Sequence, residues 1–492
     1  MKLRYILRNN NDQDGLTKAV HTHLCNKFEV EKTVIINVST RGKDILPSDC
    51  TEIPITVFKL DSPDYDNVKL VLEPAIIEAM VPYKETAMHI MMRECHFDVY
   101  DRDFLEDTYY KMLKYWNCII NKYDINCYIN IVYPHHATEY ILYALCKVKG
   151  IKTILLYPQT AANGICYHIG DAIETIGKNI EDKYNELSKI EVLREDLNDF
   201  YKLALAKVES YKVMTIGDKK KLINEAKQML CCYASLKRIV GYFAASLLPD
   251  FVLRKKGEPG FYRRHYRRMF YVCLKCRKKM RKMDTLDTYN KLASKQSMDE
   301  KYIYFPLQQT PEASTLPAAG EFNNQLLSIQ ILSTVAQRLG IYVYVKDHYI
   351  QPYRDQGFYE SIVNMPNTKL IGLEYNSLEL IEKSVAVATQ TGNCIFESLI
   401  KGKHAIVFGH GYTFKGAPNI IEAMSIEQIC DDVKNIISNK TEIKKEETYR
   451  YIKAMGDEGI YLYTDKLEDA SELYSREVSA EKIAEFTKIC WE

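Results

Sequence analysis

Polar residues that could hold a phosphate group follow three apolar stretches in the C-terminal half of the chain. Lysine and histidine side chains donate hydrogen bonds to phosphate oxygens, and the free backbone N–H groups at the start of a helix do the same. The residues concerned are Gln308 and Gln309, then Lys346 and His348, then Thr391, Gly392 and Asn393. Their types and positions therefore indicate a site that binds an anion.

Each of these clusters also has a plainer explanation. Thr391-Gly392-Asn393 suits an ordinary turn from a strand to a helix, which favours the same three residue types. A single histidine such as His348 more often packs or caps an element, and Lys346 could be solvated. The residues alone leave both explanations open.

Three glutamates could complete such a site. Glu312 follows the first apolar stretch, where a carboxylate could act as a nucleophile or stabilise an oxocarbenium-like centre. Glu139 is the candidate for a second, acid/base carboxylate, and Glu397 could accept hydrogen bonds from ribose hydroxyls. The alternatives are a capping acid for Glu312, a surface acid for Glu139 and a helix-dipole partner for Glu397.

The elements that must position these residues alternate between strands and helices. Their order predicts a doubly wound α/β domain with a parallel sheet, in which ligands bind at the carboxyl ends of the strands. The predicted strands lie at 302–305, 341–345, 369–371, 385–388 and 404–408, and the helices at 322–338, 354–364, 377–383 and 394–401.

The first 170 residues or so predict a second α/β domain of the same kind. Glu139 follows the fourth predicted strand, close to His135 and His136. The strands are predicted at 3–7, 33–38, 53–58, 125–132 and 153–157, and the helices at 15–25, 73–94, 103–122 and 137–149.

Three short motifs in the C-terminal domain give a family resemblance. They are Pro-Leu-Gln-x-x-Pro-Glu ending at Glu312, Val-Lys-Asp-His ending at His348, and Thr391-Gly-Asn-x-x-x-Glu397-Ser-Leu. Together they resemble the capsule polysaccharide biosynthesis family, bacterial glycosyltransferases whose studied members include β-Kdo transferases. The resemblance is strongest over Tyr302–Gly411 and weaker over Phe97–Asp171. The family usually has His-Pro where this chain has His348-Tyr349, so the motif does not fix the donor.

The resemblance implies the GT-B fold, in which two Rossmann-like doubly wound domains face a cleft. It implies a metal-independent, retaining glycosyltransferase that uses a nucleotide sugar, CMP-Kdo or a similar donor, to extend a surface polysaccharide or glycolipid acceptor. Glu312 and Glu139 would be catalytic, and the remaining residues named above would bind the donor. No Asp-x-Asp lies at a strand end in the donor domain, so no metal and no cofactor beyond the substrate is expected.

Two other functions fit the same residues. A polyol-phosphate transferase of teichoic-acid type would use CDP-glycerol or CDP-ribitol and would need two histidines, a base and a phosphate clamp. His135 or His136 could supply one and His348 or His410 the other. A non-catalytic binding protein that kept the GT-B fold is the second alternative, and Tyr349 would then mark decay of the donor site.

The region between the two domains differs in composition from both. Residues 254–282 contain thirteen Lys or Arg against one acid, Glu258, with aromatic residues interleaved. This pattern predicts a helix lying on an anionic membrane surface, and a solvated helical hairpin is the alternative. Nucleic acid is not expected, because no binding motif accompanies the patch. The predicted domains are 1–178 for the acceptor, 179–300 as a helical basic connection, 301–470 for the donor, and 471–492 as a terminal helix.

Composition sets the remaining expectations. Lys and Arg total 66 and Asp and Glu total 65 in 492 residues, so no global field selects a charged partner. The 14 cysteines show no framework spacing, and Met1–Arg8 lacks the apolar core of a signal peptide. No apolar run approaches the ~18–20 residues that span a bilayer. The prediction is a cytoplasmic protein with reduced thiols, peripheral on the inner face of the cell membrane.

Overall fold

The chain forms two compact units in the computed structural model. One unit comprises Met1–Asn179 together with Gly456–Glu492, and the other comprises Ile180–Met455. The described residues are 1–9, 15–36, 47, 50–53, 55–60, 62–66, 68, 70–94, 102–159, 166–187, 235–249, 261–294, 299–348, 351, 353–410, 414–462 and 475–492.

The first unit contains a sheet of seven strands among its described residues, in the order β15-β6-β5-β4-β1-β2-β3. Strands β1 to β5 pair in parallel, and β6 and β15 add antiparallel pairs at one edge. The elements of the unit are β1 Lys2–Arg8, α1 Leu16–Lys27, β2 Glu29–Ile36, β3 Thr51–Ile53, 3₁₀ turns Ile55–Phe58 and Pro63–Tyr65, α2 Pro74–Ala79, α3 Val81–Glu94, α4 Arg102–Tyr123, β4 Cys127–Asn130, α5 Ala137–Val148, β5 Lys152–Gln159, β6 Cys166–Gly170, a 3₁₀ turn Ile173–Thr175 and, after the second unit, β15 Ile460–Tyr461 and α16 Arg476–Ile489.

Alternate residues of β1 define the two faces of this sheet. Ile6 packs with the buried faces of α3, α4 and α5, which include Trp116. Leu7 points to the opposite face and packs with α1 and α16 through Leu24 and Ile483. A strand buried on both faces reads as a continuous apolar run, which is the pattern of a parallel sheet covered by helices on both sides.

The second unit contains a six-stranded parallel sheet among its described residues, in the order β11-β9-β8-β12-β13-β14. A separate antiparallel pair joins β7 to β10. The elements are α6 Lys178–Glu186, which begins at the unit boundary, α7 Leu236–Leu247, α8 Phe261–Met280, β7 Asp284–Thr285, α9 Leu286–Leu292, β8 Tyr302–Pro306, a 3₁₀ turn Gly320–Asn323, α10 Gln325–Leu339, β9 Tyr342–Lys346, β10 Tyr353–Arg354, α11 Phe358–Val363, β11 Thr368–Leu370, α12 Ser377–Lys383, β12 Ala386–Thr389, α13 Cys394–Ile400, β13 Ala405–Val407, β14 Ile420–Glu422, α14 Ile426–Asn439 and α15 Lys445–Asp457, which leads back to the first unit.

The strand order identifies both sheets as Rossmann-like. Numbered within each sheet, the six strands of the second sheet follow the order 3-2-1-4-5-6, the order of dinucleotide-binding folds. The first sheet has the same order and adds β15 as a seventh strand beside β6. The aromatic residues of β8 and β9 fit this sheet, since Tyr302 and Tyr344 stack with ring centroids 4.1 Å apart. The prediction of two Rossmann-like α/β domains is confirmed.

Two predicted elements of the first unit were wrong in detail. A strand was predicted at 53–58, but β3 ends at Ile53 and residues 55–58 form a 3₁₀ turn. The next residue in the sequence, Pro54, explains the end of the strand, because proline has no N–H for a strand ladder. The predicted helix at 73–94 is two helices, α2 and α3, separated at Met80. Pro82 explains the break, since its ring clashes with the preceding helical turn.

The helical prediction for the connecting region is confirmed where the structure describes it, in α6, α7 and α8. Residues 188–234 and 251–260 lie outside the described residues, so part of the basic segment 254–282 does too. The predicted donor domain 301–470 differs from the observed units, because β15 pairs with β6 of the first unit. Among the described helices, none combines the length and apolar character needed to cross a membrane.

Candidate functional site

The crevice of an open α/β sheet lies where the strand order reverses. In the second unit the chain runs outward from β8 to β9 and β11, and then returns to place β12 on the other side of β8. The loops after β8 and β12 therefore diverge at the carboxyl edge of the sheet, which is the usual ligand position in this architecture. The predicted residues Gln308, Gln309 and Thr391–Asn393 lie in these two loops.

Gln308 joins the two loops directly. Its side-chain carbonyl accepts a hydrogen bond from the Thr391 N–H at 3.1 Å, and its amide nitrogen donates to Thr391 Oγ1 at 3.3 Å. Thr389 at the end of β12 also donates to the same carbonyl, at 3.5 Å. Because Gln308 and Thr391 are both buried, their bonds fix the spacing of the crevice walls.

Two further glutamines hold the loop after β8 by its backbone. Gln325, the first residue of α10, accepts from the Gln308 N–H at 2.8 Å and donates to its carbonyl at 3.0 Å. Gln351 does the same for Thr310, at 2.9 Å and 2.8 Å. Gln309 lies between the two clamped residues and is half-buried.

A buried ion pair fixes the end of β9. Arg354 donates to Asp347 at 2.5 Å and to the Gln308 carbonyl at 2.9 Å. Lys346 is also buried, and its ammonium donates to the Tyr375 carbonyl at 2.6 Å and to Ser377 Oγ at 2.9 Å. In this structure Lys346 therefore binds the loop before α12, as a structural cation.

His348 follows these residues and is largely shielded from water. Burial lowers the pKa of its imidazole from 6.5 to about 4, while the negative charges of Asp347 and Glu312 act in the opposite direction. Its backbone N–H donates to Asp347 Oδ1 at 2.7 Å. The histidine is therefore neutral at physiological pH, and Glu312 is close enough to influence its protonation.

Two backbone N–H groups of the loop after β12 donate to other residues of the protein. Thr391 donates to Gln308, as described, and the Gly392 N–H donates to Thr389 Oγ1 at 3.1 Å. A Cβ atom at Gly392 would lie 2.8 Å from that same oxygen, so the position requires glycine. Asn393 is exposed and Glu397 is half-buried on α13. An anion held by the Thr391 and Gly392 N–H groups would have to displace both internal bonds.

Glu312 has the contacts of a turn-capping acid. Its carboxylate accepts from the Ser314 N–H at 2.6 Å and from the Ser314 hydroxyl. Its backbone carbonyl accepts from Thr315 and Leu316 at 3.1 and 2.7 Å. The residue as a whole is half-buried. The structure does not test its catalytic role, which stays a prediction.

Glu139 lies in the first unit and is fully buried. One carboxylate oxygen accepts from the Arg8 guanidinium, and the other accepts from the His135 and His136 N–H groups at 2.9 Å each. Burial by itself would raise the pKa of this carboxyl, but the Arg8 charge and the His136 contacts outweigh it and lower the pKa. Glu139 is thus an ionised capping residue of α5 that accepts bonds at both oxygens.

His136 is the more accessible group at this end of α5. Its Nδ1 lies 3.1 Å from Glu94 Oε1, and 35% of its side chain is exposed. The ring also meets Phe58 edge-on, with centroids 5.0 Å apart. Arg8 is the last residue of β1 and His136 follows β4, and the strand order of the first sheet reverses between these two strands. His410, the other histidine considered, is exposed after β13 in the second unit.

Four residues that support the second-unit site were not predicted from the sequence. They are Gln325, Asp347, Gln351 and Arg354. Asp347 stands inside the motif that ends at His348, so a polar residue closing a buried strand could have been noticed. Gln325 gave no signal, because a glutamine at the start of an amphipathic helix is an ordinary residue.

Among the described residues, no three His, Cys, Asp or Glu side chains lie close enough together to hold a metal ion. In particular, Cys273 and Cys276 lie on one helix, α8, without a second pair beside them in the described part of the chain.

Comparison with known proteins gives structural similarity only. No family model and no curated protein sequence matches the chain. KpsC of Thermosulfurimonas dismutans, a β-Kdo 2,7 transferase, superposes with a TM-score of 0.31 at 12% identity, over 81% of this chain and 96% of that one. A glycosyltransferase of Rickettsia africae has a TM-score of 0.27 at 11% identity, over 100% of this chain and 99% of that one. UDP-GlcNAc 2-epimerase of Neisseria meningitidis, bound to UDP-GlcNAc, has a TM-score of 0.23 at 8% identity, over 100% of this chain and 99% of that one.

Similarity at this level assigns no activity to the chain. The class of protein follows instead from its own topology, which comprises two Rossmann-like α/β units. The candidate site is the crevice between the loops after β8 and β12, bordered by the end of β9.

Proposed function

We propose that the chain is a glycosyltransferase that moves a sugar from a nucleotide-sugar donor to a polysaccharide or glycolipid acceptor. One observation carries the proposal. Gln308, His348 and Thr391 follow β8, β9 and β12. The carboxyl ends of β8 and β12 flank the point where the strand order reverses, and β9 lies next to β8. This is the position at which Rossmann-like sheets bind nucleotides.

The proposed donor contacts lie in or next to these same loops. Asn393, exposed at the start of α13, and the neutral imidazole of His348 are the proposed phosphate contacts. Thr391 and Gly392 give the loop its shape, and Gln309 and Glu397 are the proposed contacts to the nucleoside and sugar. Lys346 contributes from beneath the site, through the loop that precedes α12.

Glu312 is the proposed nucleophile or charge stabiliser. In the retaining reaction its carboxylate bonds to the anomeric carbon as the bond to the nucleotide phosphate breaks, and the phosphate leaves with the electron pair. The acceptor hydroxyl then forms the glycosidic bond, Glu312 is released, and the hydroxyl proton passes to a base. CMP-Kdo is the donor that the family resemblance favours. Glu139 stays a prediction for the second carboxylate.

Nucleotide binding is the first test of this proposal. CMP, CDP and UDP are each titrated against the whole protein, with and without EDTA, while the unfolding of the second unit is followed. A ligand present at a hundred times its dissociation constant stabilises the folded state by about 2.7 kcal/mol. For a unit of this size we expect a rise of about 5–10 °C in melting temperature with one nucleotide, unchanged by EDTA.

A matched pair of variants locates the binding site. Asn393→Ala should weaken the nucleotide-induced shift, whereas Asn364→Ala, exposed after α11 in the same unit, should leave it unchanged. No shift with any of the three nucleotides would contradict the proposal and favour a non-catalytic binding protein. A shift that survives Asn393→Ala would move the phosphate away from the start of α13.

One observation supports the polyol-phosphate transferase as a second candidate. The Glu94 carboxylate lies beside Nδ1 of His136, a contact that leaves Nε2 as the basic nitrogen of a partly exposed ring. A base of this kind suits activation of a polyol hydroxyl. Stabilisation by CDP-glycerol beyond that by CDP alone, with loss of turnover in His136→Asn, would favour this function over sugar transfer.

A further inference from the structure

Helix α7 exposes a continuous apolar stripe. Leu236, Val240, Phe243 and Leu247 recur at intervals of four, three and four residues, which places them within about 60° of one another around the helix. Their exposed fractions are 60%, 62%, 48% and 62%. The buried face of the same helix, with Ile239 and Ser246, points elsewhere. Single exposed apolar residues are normal on protein surfaces, whereas four that adjoin one another indicate a surface that binds a partner.

Helix α8 packs against α7 and carries a mixed basic and apolar stripe. Arg263, Arg267, Tyr271, Leu274 and Lys278 are all exposed and also share one face of their helix. Tyr271 and Leu274 are 51% and 40% exposed. Val272 and Cys276, on the opposite side of the helix, are buried. On the exposed face of α8, Tyr271 and Leu274 therefore lie side by side, with Arg263 and Arg267 before them and Lys278 after them.

Aromatic contacts join the two helices. Phe243 of the α7 stripe lies 5.2 Å from Phe270, and Tyr242 stacks on Tyr266 with centroids 6.1 Å apart. Phe270 in turn meets Tyr271 edge-on at 5.3 Å. The α7 stripe is thus continuous with the exposed aromatic residue of α8, and the two helices present one surface.

Charge narrows the choice of partner. Residues 235–249 and 261–283 contain twelve Lys or Arg and no Asp or Glu. Such a surface attracts an anionic partner, and the apolar stripe distinguishes among anionic partners. A nucleic acid would pair with the cations and leave the α7 stripe in water. The headgroup region of an anionic bilayer accommodates both, with apolar side chains entering the acyl boundary beside the cations.

We propose that α7 and α8 form a docking surface for an anionic lipid bilayer, with the α7 stripe inserted into the interface and the cations of α8 on the headgroups. The surface consists of Leu236, Val240, Phe243 and Leu247 with Arg263, Arg267, Tyr271, Leu274 and Lys278. The helices lie in the interface plane. The inference needs no assumption about the sugar-transfer chemistry.

Flotation with lipid vesicles tests this docking surface in the full chain. The vesicles are made from phosphatidylcholine alone or from phosphatidylcholine with phosphatidylglycerol. We expect binding only to the anionic vesicles, and a decrease in binding with added salt, since headgroup contacts are screened. Equal binding to both kinds of vesicle, or binding to neither, would overturn the proposal.

Two double variants separate the apolar and the charged contributions. Leu236→Gln with Leu247→Gln shortens the stripe, and Arg267→Glu with Lys278→Glu reverses two charges. Each should lower the partition onto anionic vesicles by about tenfold or more. The matched controls are Val478→Gln on α16 and the double change Lys434→Glu with Lys444→Glu, all exposed in other parts of the chain. Both controls should bind as the parent protein does.

Two outcomes would overturn the proposal in favour of another partner. If the stripe variant changes the oligomeric state and binding to anionic vesicles is absent, the stripe is an interface between copies of the chain. If a DNA duplex binds and the vesicles do not, the cations serve nucleic acid. Retention of the nucleotide-induced melting shift in all variants shows that any loss concerns the membrane surface and not the donor site.

Discussion

At the residue scale, Glu312 caps a turn and also lies near His348 in the candidate site. From the sequence, a capping role and a catalytic role were alternatives. The Glu312 carboxylate accepts two bonds from Ser314 and so caps a turn. The same carboxylate influences the protonation of His348 in the candidate site. Capping acts on the stability of the folded state, whereas a catalytic charge acts on the transition state, so suitable variants can separate the two.

The variant Glu312→Gln removes the negative charge and keeps the size of the side chain. If the charge stabilises the growing positive charge at the anomeric carbon, kcat should fall by about a hundredfold or more while nucleotide affinity hardly changes. Ser314→Ala is the matched control, because it weakens the cap and leaves the carboxylate in place. It should lower stability by about 1 kcal/mol without a comparable loss of kcat. Similar kcat values for the two variants would assign Glu312 to capping alone.

The pKa of His348 predicts how the stability of the second unit depends on pH. Burial lowers this pKa from 6.5 to about 4 in the folded state, so between these values the unfolded chain binds the proton more tightly. Stability contributed by the neutral histidine is therefore complete above pH 6.5 and is lost as the pH falls toward 4. The loss should reach about 3 kcal/mol, and His348→Asn should abolish this part of the pH dependence.

Hydrogen exchange of peptides covering β8 and β9 measures this effect in the second unit. The first unit provides an internal control, because burial lowers the pKa of His168 on β6 to about 3. The acid sensitivity of the first unit should therefore be the same in the parent protein and in His348→Asn. An unchanged pH dependence of exchange in β8 and β9 would show that His348 is not shielded as the structure indicates.

At the element scale, the loop after β12 depends on close contacts between its own residues. The Gly392 N–H donates to Thr389 Oγ1, and a Cβ at Gly392 would approach that oxygen to 2.8 Å. Gly392 therefore cannot serve as a simple probe of phosphate access, because any side chain there first disturbs the loop. The glycine is required by a close approach within the protein.

The variant Gly392→Ala should destabilise the second unit by about 1–3 kcal/mol through this steric conflict. Thr389→Ala removes both the oxygen and the hydrogen bond, so the double variant should be less destabilised than the sum of the single changes. Urea denaturation followed in the second unit measures the coupling. Strict additivity would show that the alanine side chain meets no resistance from Thr389.

At the scale of the whole molecule, the chain leaves the first unit and returns to it. The last described strand and helix, β15 and α16, belong to the first unit, although they follow the second unit in sequence. Helix α16 completes the core against α1, and Trp491 meets Phe28 with centroids 5.6 Å apart. The stability of the first unit therefore depends on residues far away in sequence.

Shortening a buried side chain of α16 should unfold the first unit selectively. Ile483 is fully buried against α1, so Ile483→Ala should cost about 2–5 kcal/mol. Both tryptophans of the chain, Trp116 and Trp491, lie in the first unit, so tryptophan fluorescence reports the unfolding of this unit.

The matched control is Ile429→Ala on α14, an equivalent deletion in the core of the second unit. It should leave the tryptophan transition unchanged while it lowers the stability of β8 and β9 in hydrogen exchange. A tryptophan transition that moves equally with both variants would mean that the two units unfold together.

The sequence determined the local elements and the type of each domain. Runs such as Tyr302–Phe305 and Ile341–Val345 are short, apolar and rich in aromatic and β-branched residues, which favours strands covered on both faces. Their alternation with amphipathic helices implied parallel sheets. Turn chemistry and the position after a strand identified Gln308, His348 and Thr391 as candidates. These signals are local, because they depend on residues that are neighbours in the chain.

Which of these residues meet, and how deeply each one is buried, depends on tertiary contacts. Gln308 and Thr391 are 83 positions apart, and their hydrogen bond exists because β12 returns beside β8. Glu139 could not be separated by sequence from a surface acid, and Lys346 could not be separated from a solvated lysine. In the structure, Glu139 is buried and paired with Arg8, and the Lys346 ammonium donates to the loop before α12. Hydrogen-bond partners and burial depend on contacts between distant segments, and no local pattern of residue types records them.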